Sequence, residues 1–381
     1  MEQVIYPLPD GWKYQKLKSL IKMHYGKALK AVDRIEGEVL VYGSNGVVGS
    51  HNEHLWSQPT VVIGRKGSVG EANLALTPSW TIDTAYYVEI IDHEVLDLLY
   101  FYYFADRFDV SSISQKGVKP GISRNDYLGL NFPLPPLIEQ KRIVEKLDAL
   151  HTRIDTAIEH LQESARLADA LYSSAINEQM MQAIELVGLF TVEKYIDQIQ
   201  TGTTPPTNQP EFYENGDINW FAPSDFGDHD ILSDSNKKLS QRSFDAGKAR
   251  KFDAGTIMLV AIGATIGKVG YLEQDASSNQ QITGMKFNSD IIPKYAYYWF
   301  RFIKPEILAN ASIATLPIIN QKGIKALSFC APNKELQEAI CKRIDEVSNF
   351  RNSVKAELNE KVELICTLKA SILDSAFKGE L

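Results

Sequence analysis

The feature that most constrains this chain is an internal repeat. Two stretches about 200 residues apart, VVIGRKGSVG at 61–70 and VAIGATIGKVG at 260–270, each place an apolar run before closely spaced glycines. Residues 117–143 then match residues 314–340 at a constant offset of 197. The identical pairs at that offset include Pro120 and Pro317, Ile122 and Ile319, Phe132 and Phe329, Pro135 and Pro332, Gln140 and Gln337, and Ile143 and Ile340. Because these features recur in the same order, the sequence predicts a tandem duplication of one unit.

Each repeat ends in a long helical pattern. The first pattern runs in alternating steps of four and three through Ile143, Leu147, Leu150, Ile154, Ala157, Leu161, Ser164, Ala168, Leu171 and Ala175. The second runs from Ile340 to Ile372, with Arg351 and Lys361 as interruptions. Such spacing is typical of a coiled-coil seam. We expect two long helices that pair antiparallel and hold two heads at opposite ends, related by a pseudo-twofold axis.

The blocks before the helices alternate short apolar runs with turns rich in Gly, Pro, Asn and Ser, which is typical of strands. The predicted fold class is therefore α+β, with two strand-rich domains separated by two long antiparallel coiled-coil helices in a pseudo-twofold tandem repeat. The predicted boundaries are 1–138 for the first domain, 139–185 for the first helical spacer, 186–334 for the second domain and 335–381 for the second spacer.

Charge is distributed unevenly along the chain. The net charge is −8, and residues 139–185 (5 basic, 9 acidic) and 335–381 (7 basic, 9 acidic) account for −6 of it. The two heads, with 13 basic against 15 acidic and 15 against 15 residues, are close to neutral. Each head could therefore present a local basic face to DNA, while the acidic helices suit protein partners.

Several classes of protein are disfavoured. No apolar run reaches the 18 or more residues of a membrane span, and the N-terminus lacks a signal-peptide pattern. The three cysteines, Cys330, Cys341 and Cys366, form no CxxC pair, so neither a zinc site nor a disulfide framework is expected. We expect a cytoplasmic protein with no membrane partner and no bound metal.

Two similar heads on a rigid spacer suit an extended partner such as double-stranded DNA, whose half-sites recur at a fixed rise. The chain resembles the specificity (S) subunit of type I restriction-modification systems. The resemblance is carried by LPDGWKYQKL (8–17), VYGSNGVVG (41–49), NFPLPPLIEQKRIVEKLDAL (131–150) and LKASILDSAFKGEL (368–381). It departs from the pattern where the second head opens with VGLFTVEKYIDQIQTGTTPPT (187–207), and where Leu336 replaces Glu139 at the second junction.

The resemblance implies a non-catalytic subunit whose two strand-rich heads are target-recognition domains that read an asymmetric bipartite DNA target. It would recruit two modification subunits, which bind S-adenosylmethionine and methylate adenine, and restriction subunits can join them. No cofactor is expected in this chain itself. The departures leave open whether both halves hold their modification partners equally well.

The candidate DNA-contacting residues lie on loops that the repeat places in both heads. Arginine, lysine, asparagine and hydroxyl side chains on such loops can reach base edges and phosphates. The candidates are Tyr42, Ser44, Asn45, Arg65, Lys66, Ser68, Lys116, Lys119, Ser123 and Arg124 in the first head, and Asp225, Thr265, Lys268, Thr315, Asn320, Gln321 and Lys322 in the second. Lys268 is taken as the counterpart of the Arg65–Lys66 pair. Tight turns and solvated loops without a ligand are the alternative interpretation.

Three rival readings stay open. The first is a nucleotide-binding enzyme built on Gly263–Lys268, but that loop has three residues between its glycines instead of four and Val269 after its lysine. The second is a metal site at His51 and His54 or in the acidic loop after Asp225. The third is a coiled-coil interaction protein that binds a protein or glycan through its heads.

Overall fold

The computed structural model describes residues 6–110, 113–115, 121–227, 231–313 and 316–381. The chain divides into two compact units. Unit 1 comprises Met1–Glu163 with Leu358–Leu381, and unit 2 comprises Ser164–Glu357. Each unit therefore combines one strand-rich head with a part of each long helix.

Unit 1 contains a head of short strands and two short helices. Its elements, in chain order, are β1 (Lys13–Lys16), β2 (Ile21–Tyr25), β3 (Val39–Gly43), β4 (Gly46–His51), β5 (Thr60–Gly64), β6 (Ala72–Ala75), β7 (Ser79–Thr81), β8 (Ala85–Ile90), α1 (Leu98–Arg107), β9 (Ser114–Gln115), β10 (Gly121–Ile122), α2 (Arg124–Leu128) and β11 (Asn131–Leu134). The long helix α3 (Leu137–Val187) follows and continues into unit 2.

The head of unit 1 is built on two main sheets. One is antiparallel in the order β2-β8-β5-β6, and the other has the order β4-β3-β7 with a parallel pairing of β3 and β7. The first and last strands of the head, β1 and β11, pair with each other immediately before α3 begins. This pairing closes the head on itself at the point where the helix leaves it.

Helix α1 is rich in aromatic residues and packs against strands β5 and β6. Asp97 caps its N-terminus, where its Oδ1 accepts hydrogen bonds from the backbone N–H groups of Leu99 (2.9 Å) and Tyr100 (3.0 Å). Such a cap satisfies donors that the first turn leaves unpaired. The buried face of α1 enters a core that also contains Leu147 of α3 and Phe377 of the C-terminal helix.

Unit 2 repeats this order of elements. They are β12 (Phe190–Thr191), β13 (Ile196–Thr201), β14 (Ile218–Phe221), β15 (Ile231–Leu232), β16 (Lys237–Leu239), α4 (Gln241–Asp245), β17 (Ile257–Val260), β18 (Val269–Leu272), β19 (Ser277–Ser278), β20 (Ile282–Phe287), α5 (Pro293–Phe302), α6 (Lys304–Asn310), β21 (Ser312–Ile313), β22 (Pro317–Ile318), α7 (Gln321–Ala326), β23 (Ser328–Phe329) and α8 (Lys334–Lys378).

The sheets of unit 2 match those of unit 1 strand for strand. The order β13-β20-β17-β18 corresponds to β2-β8-β5-β6, and β16-β14-β19 corresponds to β4-β3-β7, again with one parallel pairing. Strand β15 at the sheet edge and helices α4 and α6 are additions. The tandem repeat and the α+β class are therefore confirmed.

The two long helices run antiparallel within each unit. In unit 1, Arg142 of α3 donates to the carbonyl of Leu381 (2.7 Å), and Asp155 forms an ion pair with Lys369 of α8 (2.9 Å). In unit 2, Asp169 pairs with Lys355 (3.1 Å), while Met180 and Ile344 share one core. Residue numbers thus rise along one helix as they fall along the other.

Among the described residues, no helix is both long and apolar enough to span a bilayer.

Beyond Leu161 the strict heptad seam is only partly correct. Its member Ala168 is buried, but Ser164 and Leu171 are exposed, and the next buried positions are Tyr172, Ile176 and Met180. Each of the steps between these buried residues is four residues, whereas a heptad seam alternates steps of four and three. The buried face therefore moves off the predicted seam, because a helix that does not supercoil has about 3.6 residues per turn and drifts away from a 3.5-residue repeat. On α8 the same drift exposes Lys361 and Leu368.

Arg351, which interrupts the predicted seam, is buried with 4% of its surface exposed. Its Nε donates to Oδ1 of Asp169 (2.6 Å), and its guanidinium lies 4.9 Å from the ring centroid of Tyr172. Burial alone would raise the pKa of the Asp169 carboxyl, but hydrogen bonds from Lys355 and Arg351 outweigh burial and lower that pKa. The interruption is therefore a buried cation paired across the two helices.

A buried glutamine fixes each head to the long helix that follows it. In unit 1, Gln140 accepts from the N–H of Asp97 (2.8 Å) and donates to the carbonyls of Val95 (2.8 Å) and Pro135 (3.0 Å). The oxygen and the nitrogen of its side-chain amide are therefore both hydrogen-bonded to the backbone.

Gln337 makes the same three bonds in unit 2. It accepts from the N–H of Ile292 and donates to the carbonyls of Asp290 and Pro332, each at 2.8 Å. Gln140 and Gln337 are both 0% exposed. The duplication therefore preserved the joint between head and helix as well as the fold of each.

Candidate functional site

Three of the predicted loops of unit 1 converge at one end of its antiparallel sheet. The carbonyl of Arg65 accepts from the N–H of Ile122 (3.2 Å), and Lys66 forms a β-bridge with Gly121. A Cβ placed on Gly67 would lie 3.4 Å from Oγ of Ser44, so the turn at 44–46 lies against the same loop. The sequence therefore identified segments that do come together.

The loop that carries Arg65 is too tight for a side chain at Gly64. A Cβ there would lie 1.9 Å from the carbonyl oxygen of Ser68. Gly67 has a positive φ of 82°, which residues with a side chain rarely adopt. These glycines fold the loop back on itself, which leaves Lys66 exposed and Arg65 and Ser68 half-buried.

Two arginines of this surface are held by an aromatic ring that the sequence analysis missed. Tyr25, half exposed at the end of β2, lies 5.3 Å from the guanidinium of Arg65 and 5.2 Å from that of Arg124. Arg65 also donates to the carbonyl of Asp83 (2.9 Å) and lies 5.9 Å from the ring of Tyr86. We name Tyr25, Arg65, Tyr86 and Arg124 the arginine–tyrosine cluster.

This cluster presents two oriented cations at the surface. Cation–π contacts and a backbone bond hold the guanidinium groups, so less conformational freedom is lost when they bind an anion or a base edge. Burial, followed by the neighbouring Tyr25, raises the pKa of Tyr86, so its hydroxyl stays protonated and donates to the carbonyl of Ile122 (3.1 Å). The arrangement suits phosphate contact or bidentate recognition of guanine.

Unit 2 joins its corresponding loops in the same way. Ile319 N–H donates to the carbonyl of Ala261 (3.0 Å), and Ile262 forms a β-bridge with Ile318. These contacts are the counterparts of Ile122 to Arg65 and of Lys66 to Gly121. Arg65 and Lys66 therefore correspond to Ala261 and Ile262.

The expected equivalence of Lys268 to the Arg65–Lys66 pair is consequently wrong. The bond from Gly64 N–H to the carbonyl of Glu71 (2.8 Å) is repeated by Val260 N–H to the carbonyl of Lys268 (2.9 Å), so Lys268 occupies the position of Glu71. Its Nζ donates to the carbonyl of Phe226 (2.8 Å). The second loop contains one residue more than the first, which shifts the alignment of the two loops by one position. The similarity of the two sequences did not reveal this shift.

The counterpart of the arginine–tyrosine cluster in unit 2 is uncharged. Thr201 occupies the position of Tyr25, Thr283 that of Tyr86 and Gln321 that of Arg124, as the strand pairings and the starts of α2 and α7 define them. Gln321 Nε2 donates to Oγ1 of Thr201 (3.1 Å), which lies 3.2 Å from Oγ1 of Thr283. We name Thr201, Ala261, Thr283 and Gln321 the threonine–glutamine cluster.

Two other candidates serve the fold of unit 2. Asp225 accepts from the N–H of Ala222 (2.7 Å) and of Asn236 (3.2 Å), so its carboxylate closes a turn. Asn320 caps α7 by accepting from the N–H of Gly323 (2.8 Å). Thr265 and Lys322 are exposed near the joined loops.

Tyr42 is also misassigned as a surface residue, since only 7% of it is exposed. A register shift between Val41 and Tyr42 in the β3–β4 pairing turns it into a small core with Val62, Ala75 and Ala85. In the same turn Asn45 is exposed and Ser44 half-buried. Ser123 precedes α2 without a side-chain cap bond. Lys116, Lys119 and Thr315 lie outside the described residues.

The geometry does not support the alternative of a metal site at His51 and His54. His51 is buried, and its Nδ1 accepts from the N–H of Ile35 (3.0 Å) while its ring packs edge-on against Trp80. No group of three or more metal-ligating side chains occurs among the described residues. The residues Asp228, His229 and Asp230 of the acidic loop fall outside them.

Comparison with known proteins identifies the family. A sequence profile described as "Type I restriction modification DNA specificity domain" matches residues 9–167 and 185–364, one match for each repeat. The EcoBI specificity subunit of Escherichia coli is 24% identical over 280 residues, which is 66% of this chain and 58% of that protein. This chain thus aligns with under two thirds of that relative.

Two further comparisons extend over nearly the whole chain. The EcoDI specificity subunit of Escherichia coli is 23% identical over 98% of this chain and 89% of its own length. A solved structure from a study of complex assembly and conformational transition of the type I R-M system has a TM-score of 0.73 at 17% identity, covering 99% of this chain and all of that one. The latter supports the fold alone. With both of its repeats matched by the family profile, the chain belongs to the type I restriction-modification DNA specificity family.

Proposed function

We propose that this chain is the specificity subunit of a type I restriction-modification complex and reads an asymmetric bipartite DNA target, one half with each unit. The observation that carries the proposal is the pair of corresponding surface clusters. Both are assembled from the same strands and loops, yet one presents guanidinium and phenol groups and the other presents hydroxyl and amide groups. Equivalent positions with different hydrogen-bonding chemistry are suited to reading different bases.

The proposal includes partners that carry the chemistry. Two modification subunits would bind S-adenosylmethionine and methylate adenine, and restriction subunits can join them. This chain would contribute recognition and assembly without a catalytic centre or cofactor of its own. Its three free cysteines are compatible with a reducing cytoplasm, which is where we place the complex.

The test is a methylome measurement. A modification subunit from the source genome is expressed in a methylation-free host with and without this chain, and the DNA is sequenced for modified adenines. A new bipartite motif that requires this chain is the expected result. Modification without a motif that depends on this chain would contradict the proposal.

Paired variants assign the half-sites. Arg65→Ala with Arg124→Ala should relax or abolish one half-site, because a bidentate arginine contact is worth about 1–3 kcal/mol of discrimination, roughly tenfold to a hundredfold. Thr201→Val with Gln321→Ala should alter the other half-site alone. Lys18→Ala, an exposed lysine of unit 1 outside both clusters, is the control and should leave the motif unchanged.

DNA binding by the purified chain separates the proposal from the interaction-protein alternative. Phosphate contacts release counterions, so the association constant should fall linearly with salt concentration on logarithmic axes. A head that recognises a protein or a glycan would instead give no binding to DNA at low salt.

A further inference from the structure

At one point of the repeat, unit 2 has a longer and more basic connection than unit 1. Residues 52–59 join β4 to β5 in unit 1 and contain no lysine or arginine. Residues 240–256 join the corresponding strands β16 and β17 in unit 2, so this connection is 17 residues long instead of 8. It contains four basic residues, Arg242, Lys248, Arg250 and Lys251. The longer copy of the connection therefore adds cations to a head whose surface cluster is uncharged.

Hydrogen bonds hold the end of this connection against the threonine–glutamine cluster. The Oγ1 of Thr203 donates to the carbonyl of Lys248 (3.0 Å), and the Nε2 of Gln200 donates to that of Lys251 (2.8 Å). Between these two bonds, the guanidinium of Arg250 donates to the carbonyl of Thr201, which is a member of the cluster. Residues 248–251 therefore lie alongside the end of β13, with Arg250 at the edge of the cluster.

The backbone that leads into this segment is also fixed. The N–H groups of Lys248 and Ala249 both donate to the carbonyl of Ser243, at 2.8 and 2.9 Å. Gly247 lies inside this turn with a positive φ of 66°, which ends α4 and reverses the chain. The segment is thus placed by its own hydrogen bonds before any partner arrives.

Two of the cations in this segment are available to a partner. Lys248 and Arg250 are exposed, and neither forms an ion pair with any residue that the structure describes. Lys251 is also exposed, but its Nζ lies 2.7 Å from a carboxylate oxygen of Asp275. The charge of Lys251 is therefore already paired, whereas the charges of Lys248 and Arg250 are not.

The two units bring cations to equivalent places from different parts of the fold. In unit 1, Tyr25 holds Arg65 and Arg124 through its ring. In unit 2, Thr201 is the counterpart of Tyr25, and its carbonyl holds Arg250 from the added connection. Both halves of a DNA target carry the same phosphate charges, and neutralising them supplies the electrostatic part of binding. Cations at this place in both heads therefore indicate a common need for them.

We infer that Lys248 and Arg250 contact DNA backbone phosphates at the second half-site, an inference that rests on the proposed function. Arg250 uses one nitrogen for the carbonyl of Thr201 and keeps other N–H donors for phosphate oxygens. Contacts of this kind position a protein on the duplex without carrying sequence information. Unit 2 thus divides two tasks: the added connection anchors the backbone, and the hydroxyl and amide groups of the threonine–glutamine cluster read the bases.

The test measures DNA binding by the full chain at several salt concentrations. Fluorescence anisotropy is recorded with two duplexes, one with the motif found in the methylome measurement and one without it. Each lost phosphate contact should reduce the slope of the logarithm of the association constant against the logarithm of salt concentration by about 0.9. Lys248→Gln with Arg250→Gln should therefore reduce it by about 1.8 on both duplexes. Lys334→Gln, the same change at an exposed lysine at the start of α8, is the control and should keep the wild-type slope.

Single variants separate the charge of these residues from a structural role. The side chain of Lys248 forms no hydrogen bond or ion pair with a described residue, so Lys248→Gln should reduce the slope without lowering the melting temperature. Arg250→Lys keeps the charge, and lysine contacts phosphate as a point charge, so this variant should retain the wild-type slope. Equal losses in Arg250→Lys and Arg250→Gln would show that the arginine only supports the fold of unit 2, and the inference would be overturned.

The remaining outcomes separate the inference from the proposed function. In the methylome measurement, Lys248→Gln with Arg250→Gln should leave the methylated motif unchanged. A relaxed or altered second half-site would show that these residues read bases, which overturns the inference while the proposed function stands. A double variant with the wild-type slope would have the same meaning. If the wild-type chain shows no salt-dependent binding to either duplex, both the inference and the proposed function fall.

Discussion

At the scale of single residues, the arginine–tyrosine cluster explains how unit 1 can present two cations without leaving them disordered. Tyr25 lies between Arg65 and Arg124, and each guanidinium also donates to a backbone carbonyl, of Asp83 and Met23 respectively. Lysine could not reproduce this, because its ammonium lacks the planar face and the fixed fork of donors.

Tyr25→Leu should therefore weaken DNA binding with both arginines still present. An exposed cation–π contact contributes about 0.5–1 kcal/mol, so losing two should reduce affinity for the first half-site by about five- to thirtyfold. Tyr25→Phe keeps the ring and should stay within about threefold of the wild type. Fluorescence anisotropy with a short duplex measures both, and Thr201→Val should leave the first half-site unaffected. Equal losses in the Leu and Phe variants would show that the hydroxyl matters and the ring does not.

His151 of α3 gives unit 1 a dependence on pH. Its ring is buried against Tyr103, and its Nε2 has no hydrogen-bond partner within the described part of the chain. Burial, and then the charge of Lys369, lowers the pKa of this histidine. In the unfolded chain this histidine has the ordinary pKa of about 6.5. The folded chain keeps the imidazole neutral at pH values where the unfolded chain has already bound a proton.

The sign of the effect follows from this difference. Below about pH 6.5 the unfolded state gains a proton that the folded state resists, so the free energy of unfolding should decrease as the pH falls. His151→Phe fills the same space and cannot titrate, so its melting temperature should fall less than that of the wild type between pH 7.5 and 5.5. The exposed His54→Phe serves as control and should retain the wild-type slope. A His151→Phe profile parallel to the wild type would contradict the assignment.

At the scale of elements, the contacts that join each head to the long helix after it are more alike in the two repeats than are the surface clusters of the heads. Besides the glutamines, a tyrosine of each aromatic helix donates to an aspartate of the following long helix, Tyr103 to Asp148 and Tyr298 to Asp345. These joints orient a head on its helix, which determines where its surface cluster points.

Removing one glutamine should therefore destabilise its unit strongly. Gln140→Leu leaves the N–H of Asp97 and the carbonyls of Val95 and Pro135 without this partner. Each buried unpaired group costs about 1–3 kcal/mol, so we expect a loss of about 3 kcal/mol or more. For a unit of this size that corresponds to about 6–12 °C in melting temperature. Differential scanning calorimetry measures it.

The controls for this change are available on the same helix and in the other repeat. Gln162→Leu, at an exposed position of α3, should change the melting temperature by little. Gln337→Leu should reproduce the loss in unit 2. Hydrogen exchange assigns each loss to its unit, and a loss of similar size in Gln162→Leu would indicate a general intolerance of leucine on α3.

At the scale of the whole molecule, the repeat made most of the fold predictable, because it aligned the glycine-rich loops, the junctions between heads and helices, and the long helical patterns. The heptad seam was wrong at Ser164 and Leu171, because a helix with about 3.6 residues per turn drifts away from a 3.5-residue repeat. The site was only partly predictable. The glycine loop drew attention to Arg65, but Tyr25 lies 40 residues earlier and reaches it only through the pairing of β2 with β8. The prediction that Tyr42 lies at the surface was wrong because of a bulge in the pairing of β3 with β4, which the local sequence does not indicate.

The preserved joints also predict that heads can be exchanged between repeats. Replacing residues 6–134 with residues 190–331 puts the second head before Gln140 and Asp148, whose counterparts Gln337 and Asp345 already hold that head in unit 2. Every polar contact of the joint then has its partner. If the proposed function is correct, the chimera should fold and, in complex with the modification subunit, direct methylation to a motif in which both halves carry the sequence read by unit 2. Sequencing of modified adenines checks this, with the wild-type chain as the reference. A chimera that assembles normally but still directs methylation to the asymmetric motif would show that the heads do not choose the half-sites.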